Sequence, residues 1–194
     1  GKMGYAIARQ AMLRGAQVTL VSGKTDLQPP AGVRLVSVEA AADMARAVKE
    51  AADDQDIIIK AAAVADYRPA AVAQEKMKKK DGELSIALER TEDILAWLGA
   101  HRREGQFLCG FSMETENLLE NSRAKLEKKK IDMIVANNLR QDGAGFGTDT
   151  NVVTILTKND TVELPIMSKE EVADRLLDCI LSKSAQGGER ADGL

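Results

Sequence analysis

Four stretches of this sequence carry residue types that could act on a phosphorylated ligand. Gly1-Lys2-Met3-Gly4 stands directly before a helical pattern. Glycines let a backbone approach a ligand, and the unpaired N–H groups at a helix start attract anions. A GxxG spacing is common, however, and is not a Walker sequence. Lys60 to Pro69 runs from an isoleucine strand into Ala61-Ala62-Ala63, a ledge with little side-chain bulk, and then to Asp66. Ligands of open α/β sheets bind at the carboxyl ends of strands, where backbone groups of Ala62 and Ala63 could touch a substrate. Asp66 could hold Mg²⁺ or a nucleotide hydroxyl, or act only as a cap. Lys76-Met77-Lys78-Lys79-Lys80, beside Asp81-Gly82, could offset charge on a triphosphate in its transition state, or form a solvated turn. Phe111 in Gly110 to Glu116 could stack on a base. Lys125 and Lys129, four apart on the following helix, share one face; they make either a phosphate clamp or exposed ion pairs.

Other chemistries find little support. Cys109 lies in the apolar run Phe107 to Phe111 and Cys179 on a helical pattern, so both read as small buried apolar groups. The single histidine, His101, sits among Arg102, Arg103 and Glu104. With no CxxC and no histidine cluster, neither a zinc site nor a Ser-His-Asp triad is expected. Twenty-seven basic residues against thirty acidic ones argue against a nucleic-acid binder. No run of 18 apolar residues and no signal-peptide pattern occurs, so a cytoplasmic location off the membrane is expected.

The elements that must position these residues follow from periodicity. Helices are expected over Met3–Arg14 (ended by Gly15), Ala40–Ala52, Thr91–Arg103 with Thr91 as cap and Asp93 in its first turn, and Glu116–Lys129. A last helix starts at Ser168, with Glu171 completing a capping box. Buried strands are expected over Gln17–Ser22, Val33–Val38, Asp56–Ala61, Gln106–Phe111 and Ile131–Ala136. Strands alternating with helices imply right-handed βαβ units and a three-layer, Rossmann-like parallel sheet. Glu83–Glu89 and Asn151–Thr157, the latter turning at Lys158-Asn159-Asp160 into Val162–Leu164, alternate polar and apolar residues instead. These suit an antiparallel arm that is either a sheet edge or a dimer contact. Aromatic residues are only 3 %, so Ala, Val, Ile, Leu and Met must fill the core. No strand precedes the glycines at position 1, so one is expected upstream. One domain is expected over 1–183, and the Gly-rich, charged tail 184–194 should be disordered.

The order of these segments resembles a family. Gly1-Lys2-Met3-Gly4-Tyr5-Ala6-Ile7-Ala8, Ala61-Ala62-Ala63-Val64-Ala65-Asp66-Tyr67-Arg68, Glu75-Lys76-Met77-Lys78-Lys79, Gly110-Phe111 with Glu114-Thr115, Ile134-Val135-Ala136-Asn137 and Gly145-Phe146-Gly147-Thr148-Asp149-Thr150-Asn151 look like bacterial phosphopantothenoylcysteine synthetase, the phosphopantothenate–cysteine ligase of coenzyme A synthesis. The resemblance implies a CTP-dependent ligase acting with Mg²⁺. The carboxylate of 4'-phosphopantothenate attacks the α-phosphorus of CTP to give an acyl-cytidylate and pyrophosphate, and the amine of cysteine then displaces CMP. By position, Lys60, Ala61, Ala62, Asp66, Lys76, Glu92, Asp93, Ile94, Leu95, Phe111, Lys125 and Lys129 would contact CTP. Gly1, Ala62 and Ala63 would lie against phosphopantothenate, Asp66 would hold the metal, and Lys76 would neutralise the triphosphate during activation.

The family also implies a homodimer whose arm closes the partner's site, and in many bacteria a fusion to a flavin-dependent decarboxylase; FMN would belong only to that upstream half. Two departures stand out. The family's Asn and two Ser before the first glycine are absent, and its Asn-Pro-Asp is Thr91-Glu92-Asp93 here. The alternatives are a non-catalytic nucleotide-binding or dimerisation module, and a Rossmann-type oxidoreductase. The second would need GxGxxG after a strand and an acidic residue where Ser22-Gly23-Lys24 stands.

Overall fold

Helix-breaking and capping residues set the element boundaries close to where periodicity placed them. The protein is described by a computed structural model, which covers residues 1–71, 75, 85–114, 117–138 and 148–188, except the side chains of Glu114, Asn138 and 185–188. Helix α1 (Lys2–Leu13) stops because Gly15 takes φ +89°, and the N–H groups of Gly15 and Ala16 donate to the carbonyls of Met12 and Ala11. That pairing of the last free carbonyls is a Schellman motif, and a positive φ is where glycine costs least. Strands β1 (Thr19–Ser22) and β2 (Arg34–Ser37) pair in parallel as a separate ribbon, followed by α2 (Ala41–Ala52).

Strand β3 (Ile57–Lys60) leads to β4 (Tyr67–Pro69), β5 (Leu88–Arg90), α3 (Ile94–His101), β6 (Phe107–Glu114), α4 (Leu118–Lys129) and β7 (Met133–Asn138). The hairpin β8 (Thr150–Thr157) and β9 (Thr161–Ser168) precedes α5 (Lys169–Gly188). At α5 the expected capping box forms: Glu171 Oε2 accepts from the Ser168 N–H (2.8 Å), and Ser168 Oγ accepts from the Glu171 N–H (3.2 Å). This helix runs to Gly188, past Ser184 where the disordered tail was expected to begin, and residues 189–194 lie outside the described residues. The Ser184 hydroxyl donates to the Leu181 carbonyl one turn back, so the serine continues the helix rather than ending it.

The main sheet has the order β3-β6-β7-β8-β9, with β3, β6 and β7 parallel and β8 and β9 antiparallel. Alternation along its strands separates two cores. Phe107, Cys109, Met133 and Val135 face α1 and α5 with Ile7, Val172 and Leu176. Leu108, Ile134 and Ala136 face α2, α3 and α4 with Ile94, Leu98 and Leu126. This is the expected three-layer α/β arrangement, with antiparallel strands on one side.

Of the two alternatives open for the Asn151–Leu164 hairpin, a sheet edge or a dimer contact, β8–β9 takes the edge of the main sheet, with its apolar alternate residues Val153 and Ile155 in the core beside α5. The detached antiparallel pair is β4–β5, in which Tyr67 faces Arg90 and Pro69 faces Leu88. Of Glu83–Glu89, only Leu88 and Glu89 pair; residues 85–87 are outside any strand and 83–84 outside the described residues.

Candidate functional site

Where β3 ends, the chain leaves the sheet as an open ledge: Ala62 and Ala63 are exposed, and Lys60 Nζ folds back to donate to the Ala62 carbonyl at 3.0 Å. Thr91 anchors the far side of this loop. Its N–H donates to the Asp66 carbonyl (2.9 Å) and its hydroxyl to that of Ala65. Thr91 therefore does not cap α3. The cap is Asp93, whose Oδ1 accepts from the Ala96 N–H at 3.0 Å.

The start of α3 thus points at the ledge, and the end of α4 meets it there. Gly99 makes this approach possible, since a Cβ at that position would lie 1.8 Å from the Lys129 carbonyl oxygen. Lys129 Nζ stands 3.2 Å from Asp93 Oδ2. A small pocket of about 50 Å³ results, lined by Lys60, Val64, Asp66, Thr91, Glu92, Asp93, Ile94 and Lys129. Its electrostatics are coupled. Burial, and then Lys129, push the Lys60 ammonium below the usual lysine value, while Asp93 and Asp66 pull it back. Burial works to raise the Asp93 carboxyl, but the Ala96 N–H and Lys129 overcome it and leave it below the usual carboxylate value.

The structure therefore brings Lys60, Asp66, Asp93 and Lys129 together from β3, the loop after it, α3 and α4. Lys125 lies one turn back on α4 and is half-buried like Lys129, whereas Lys128 and Lys130 are exposed; it does not line the pocket. Glu92 turns its carboxylate to Lys49, whose ammonium also sits 5.0 Å from the Trp97 ring centre. Ile94 and Leu95 are core side chains, so only their backbone could meet a ligand. Lys76 lies outside the described residues.

Phe111 lies on the other face of the sheet, with Ala61 and Met3 beside the start of α1. There a Cβ on Gly4 would be 3.9 Å from that of Ala61, so the Gly1–Gly4 helix start abuts the ledge. A ligand touching both Phe111 and Lys129 would cross the carboxyl edge of β3 and β6. A larger cleft of about 530 Å³ lies beyond Thr91 and Glu92, between α2 and the β4–β5 pair. Of the expected site residues it holds only Glu92; of its four cations, Arg46, Lys49 and Arg68 are engaged by Asp43, Glu92 and Glu89, and Arg90 lies over the Tyr67 ring. The smaller pocket is the better candidate.

Three polar residues on the α1 face carry no role in the sequence reading. Among the described residues Asn137 Oδ1 is buried without a hydrogen-bond partner, which a native interior tolerates only with a reason. Lys169 is buried and donates to Asn151 Oδ1 (2.7 Å) and the Thr150 carbonyl (3.0 Å), while Lys2 pairs with Asp149 at 2.7 Å. Together these contacts hold 149–151 against the start of α1. One signal was available: Asn137 interrupts the apolar alternation of Met133 and Val135.

The remaining expectations fit a site of this kind. Cys109 is fully buried and burial pushes its thiol up, so it is no nucleophile. His101 is exposed, its Nδ1–H donating to the Trp97 carbonyl. Ser22 ends β1 with its hydroxyl on Tyr5 (3.1 Å), leaving no carboxylate for a dinucleotide ribose there. Among the described residues, no helix is long and apolar enough to cross a membrane.

The chain is similar in sequence and fold to known proteins. Residues 1–183 match the family model "DNA/pantothenate metabolism flavoprotein C-terminal domain". The chain is 48 % identical over 193 residues to the coenzyme A biosynthesis bifunctional protein CoaBC of Bacillus subtilis (strain 168), covering 98 % of this chain and 47 % of that protein. It is 40 % identical over 193 residues to the CoaBC of Escherichia coli (strain K12), covering 98 % and 48 %. It thus spans about half the length of these curated relatives. A crystal structure of the C-terminal domain of a CoaBC superposes with a TM-score of 0.81 at 45 % identity, covering 96 % of this chain and 85 % of that one.

Proposed function

Because the chain belongs to the DNA/pantothenate metabolism flavoprotein C-terminal domain family, we propose that it is a phosphopantothenate–cysteine ligase, joining 4'-phosphopantothenate to cysteine at the expense of CTP. One observation carries the reading: Lys60, Asp66, Asp93 and Lys129 meet in one pocket at the carboxyl end of β3, beside the bare Ala62–Ala63 ledge.

In the first step a carboxylate oxygen of phosphopantothenate attacks the α-phosphorus of CTP, and the bond to the β-phosphate oxygen breaks to release pyrophosphate. In the second, the cysteine amine attacks the acyl carbon, CMP leaves, and the amine loses a proton to solvent. Two anions must approach each other in the first step, so the chain's task is to offset charge. Lys60 and Lys129 supply it from one side, and Lys76 and Lys125 add to it. The positive end of α1, where Gly4 lies against Ala61, approaches the ledge from the other side. The ledge admits the acyl group because Ala62 and Ala63 are exposed and carry only methyl groups. Mg²⁺ fits this donor set in the manner of nucleotide sites, through one carboxylate, Asp66, and the ligand's own phosphates. When bound it would neutralise phosphate charge.

The exposed β4–β5 pair is the arm through which a homodimer forms, the protein is cytoplasmic, and the chain works fused to or beside a flavin-dependent decarboxylase that alone carries FMN. The test is turnover of the chain with CTP, phosphopantothenate and cysteine, followed by pyrophosphate release, with ATP as the comparison. Lys76→Gln should abolish acyl-cytidylate formation from radiolabelled CTP. An undiminished intermediate in that variant removes Lys76 from the mechanism, and no turnover by the unaltered chain leaves only a non-catalytic nucleotide-binding module.

A further inference from the structure

Asp93 carries more charge than its structural task requires. Its Oδ1 caps α3 by accepting from the Ala96 N–H (3.0 Å), a task a neutral asparagine performs as well. The helix therefore fixes where the carboxylate stands, and that place is among the pocket's cations: Oδ2 lies 3.2 Å from Lys129 Nζ, and the Lys60 ammonium feels the same charge. The other acids of the pocket do not duplicate it. Glu92 is paired with Lys49, and Asp66 acts on Lys60, whereas among the described residues the ion pair to Lys129 comes from Asp93. A polyphosphate oxygen drawn to Lys129 competes there with the carboxylate that Asp93 already presents.

We propose that Asp93 is an internal counter-anion: it occupies Lys129 while the pocket is empty, yields it to an incoming polyphosphate, and reclaims it as pyrophosphate departs. This rests on the reading of the pocket as a polyphosphate site. Asp93 is a positioning residue, acting through Lys129 and Lys60. It weakens ground-state binding of every polyanion and in return speeds release of the product. Two lysines left without it would repel each other when empty and grip pyrophosphate when full.

The experiment uses inorganic pyrophosphate, which has no nucleoside contacts, titrated into the unaltered chain, Asp93→Asn and Lys129→Met, and followed by calorimetry and by Trp97 fluorescence. Removing one like charge from a partly screened pocket should tighten pyrophosphate binding to Asp93→Asn about tenfold, with a melting temperature near that of the unaltered chain because the cap survives. In turnover, kcat and KM for the nucleotide should fall together, and pyrophosphate should inhibit more strongly. Asp93→Ser, another neutral cap, should behave in the same way and serves if the asparagine variant folds poorly. If Lys129→Met weakens pyrophosphate binding while both neutral caps bind it no tighter than the unaltered chain, the pocket reading stands and the counter-anion is wrong. If pyrophosphate fails to bind the unaltered chain, the pocket reading fails and takes this inference with it.

Discussion

Gly99→Ala puts the packing that builds the site to a test of sign. Gly99 lies inside α3, where on an isolated helix alanine would stabilise by about 1 kcal/mol. Here the added Cβ would stand 1.8 Å from the Lys129 carbonyl oxygen and 2.9 Å from its carbon, roughly 1 Å inside any tolerated approach in a close-packed interior. The obstacle is backbone, so no rotamer change relieves it and α3 must move away from the end of α4. Overpacking of this kind costs about 3 kcal/mol at the upper end of its usual range. Set against the propensity gain, the net loss is about 2 kcal/mol, or roughly 4–8 °C in melting temperature for a chain of this length. Trp97, the only tryptophan, lies two residues from Gly99 and stacks on His101 at 4.3 Å, so its fluorescence follows the melt directly. The same displacement should part Lys129 from Asp93 and weaken pyrophosphate binding. Gly110→Ala is the milder control, because its closest neighbour, 2.5 Å away, is the end of the Leu95 side chain. A Gly99→Ala protein that melts at or above the temperature of the unaltered chain would refute the close approach on which the pocket depends.

Two further outcomes are expected. Lys60, held below the usual lysine value by burial and Lys129, has a larger uncharged fraction at mildly alkaline pH. An amine-acylating reagent should therefore modify it faster than the exposed Lys24 and Lys158, and pyrophosphate should protect it; peptide mapping by mass spectrometry checks both, and equal rates would contradict the assigned environment. The linked stability has a definite sign. Between the lowered folded value and the ordinary lysine value the unfolded chain binds more protons, so Lys60 makes stability rise as pH climbs through that window. For the arm, Tyr67, Ile86 and Leu88 are 51 %, 56 % and 59 % exposed. Leu88→Asp should convert a dimer to a monomer in light scattering at dilute concentration, and a monomeric unaltered chain would end the dimer proposal.

Much of the fold was legible because local chemistry and tertiary structure agree. Gly15 ends α1, the Ser168–Glu171 box starts α5, and the isoleucine run of β3 and the alternation of β8 needed no distant partner to be read. The errors arose where a contact far along the chain decided the outcome. Thr91 is a good cap residue by type, yet Ala65 and Asp66 claim it, and Asp93 takes over two positions later. The Asn151–Leu164 hairpin and the β4–β5 pair have similar patterns. Only the presence of β7 beside β8 makes one of them a sheet edge.

By itself, the sequence determined the residue types of the candidate site and their order along the chain: a glycine helix start, an alanine ledge with one carboxylate, and two lysines one turn apart. Period and capping chemistry are local, so these could be read without coordinates. Tertiary structure alone decided which charges face one another. Lys60 and Lys129 are 69 positions apart in the chain numbering, and Asp93 acts on both because Gly99 lets two helices close to backbone contact. Electrostatic coupling depends on distance through space and on burial, and neither quantity is written in the spacing of residues along a chain.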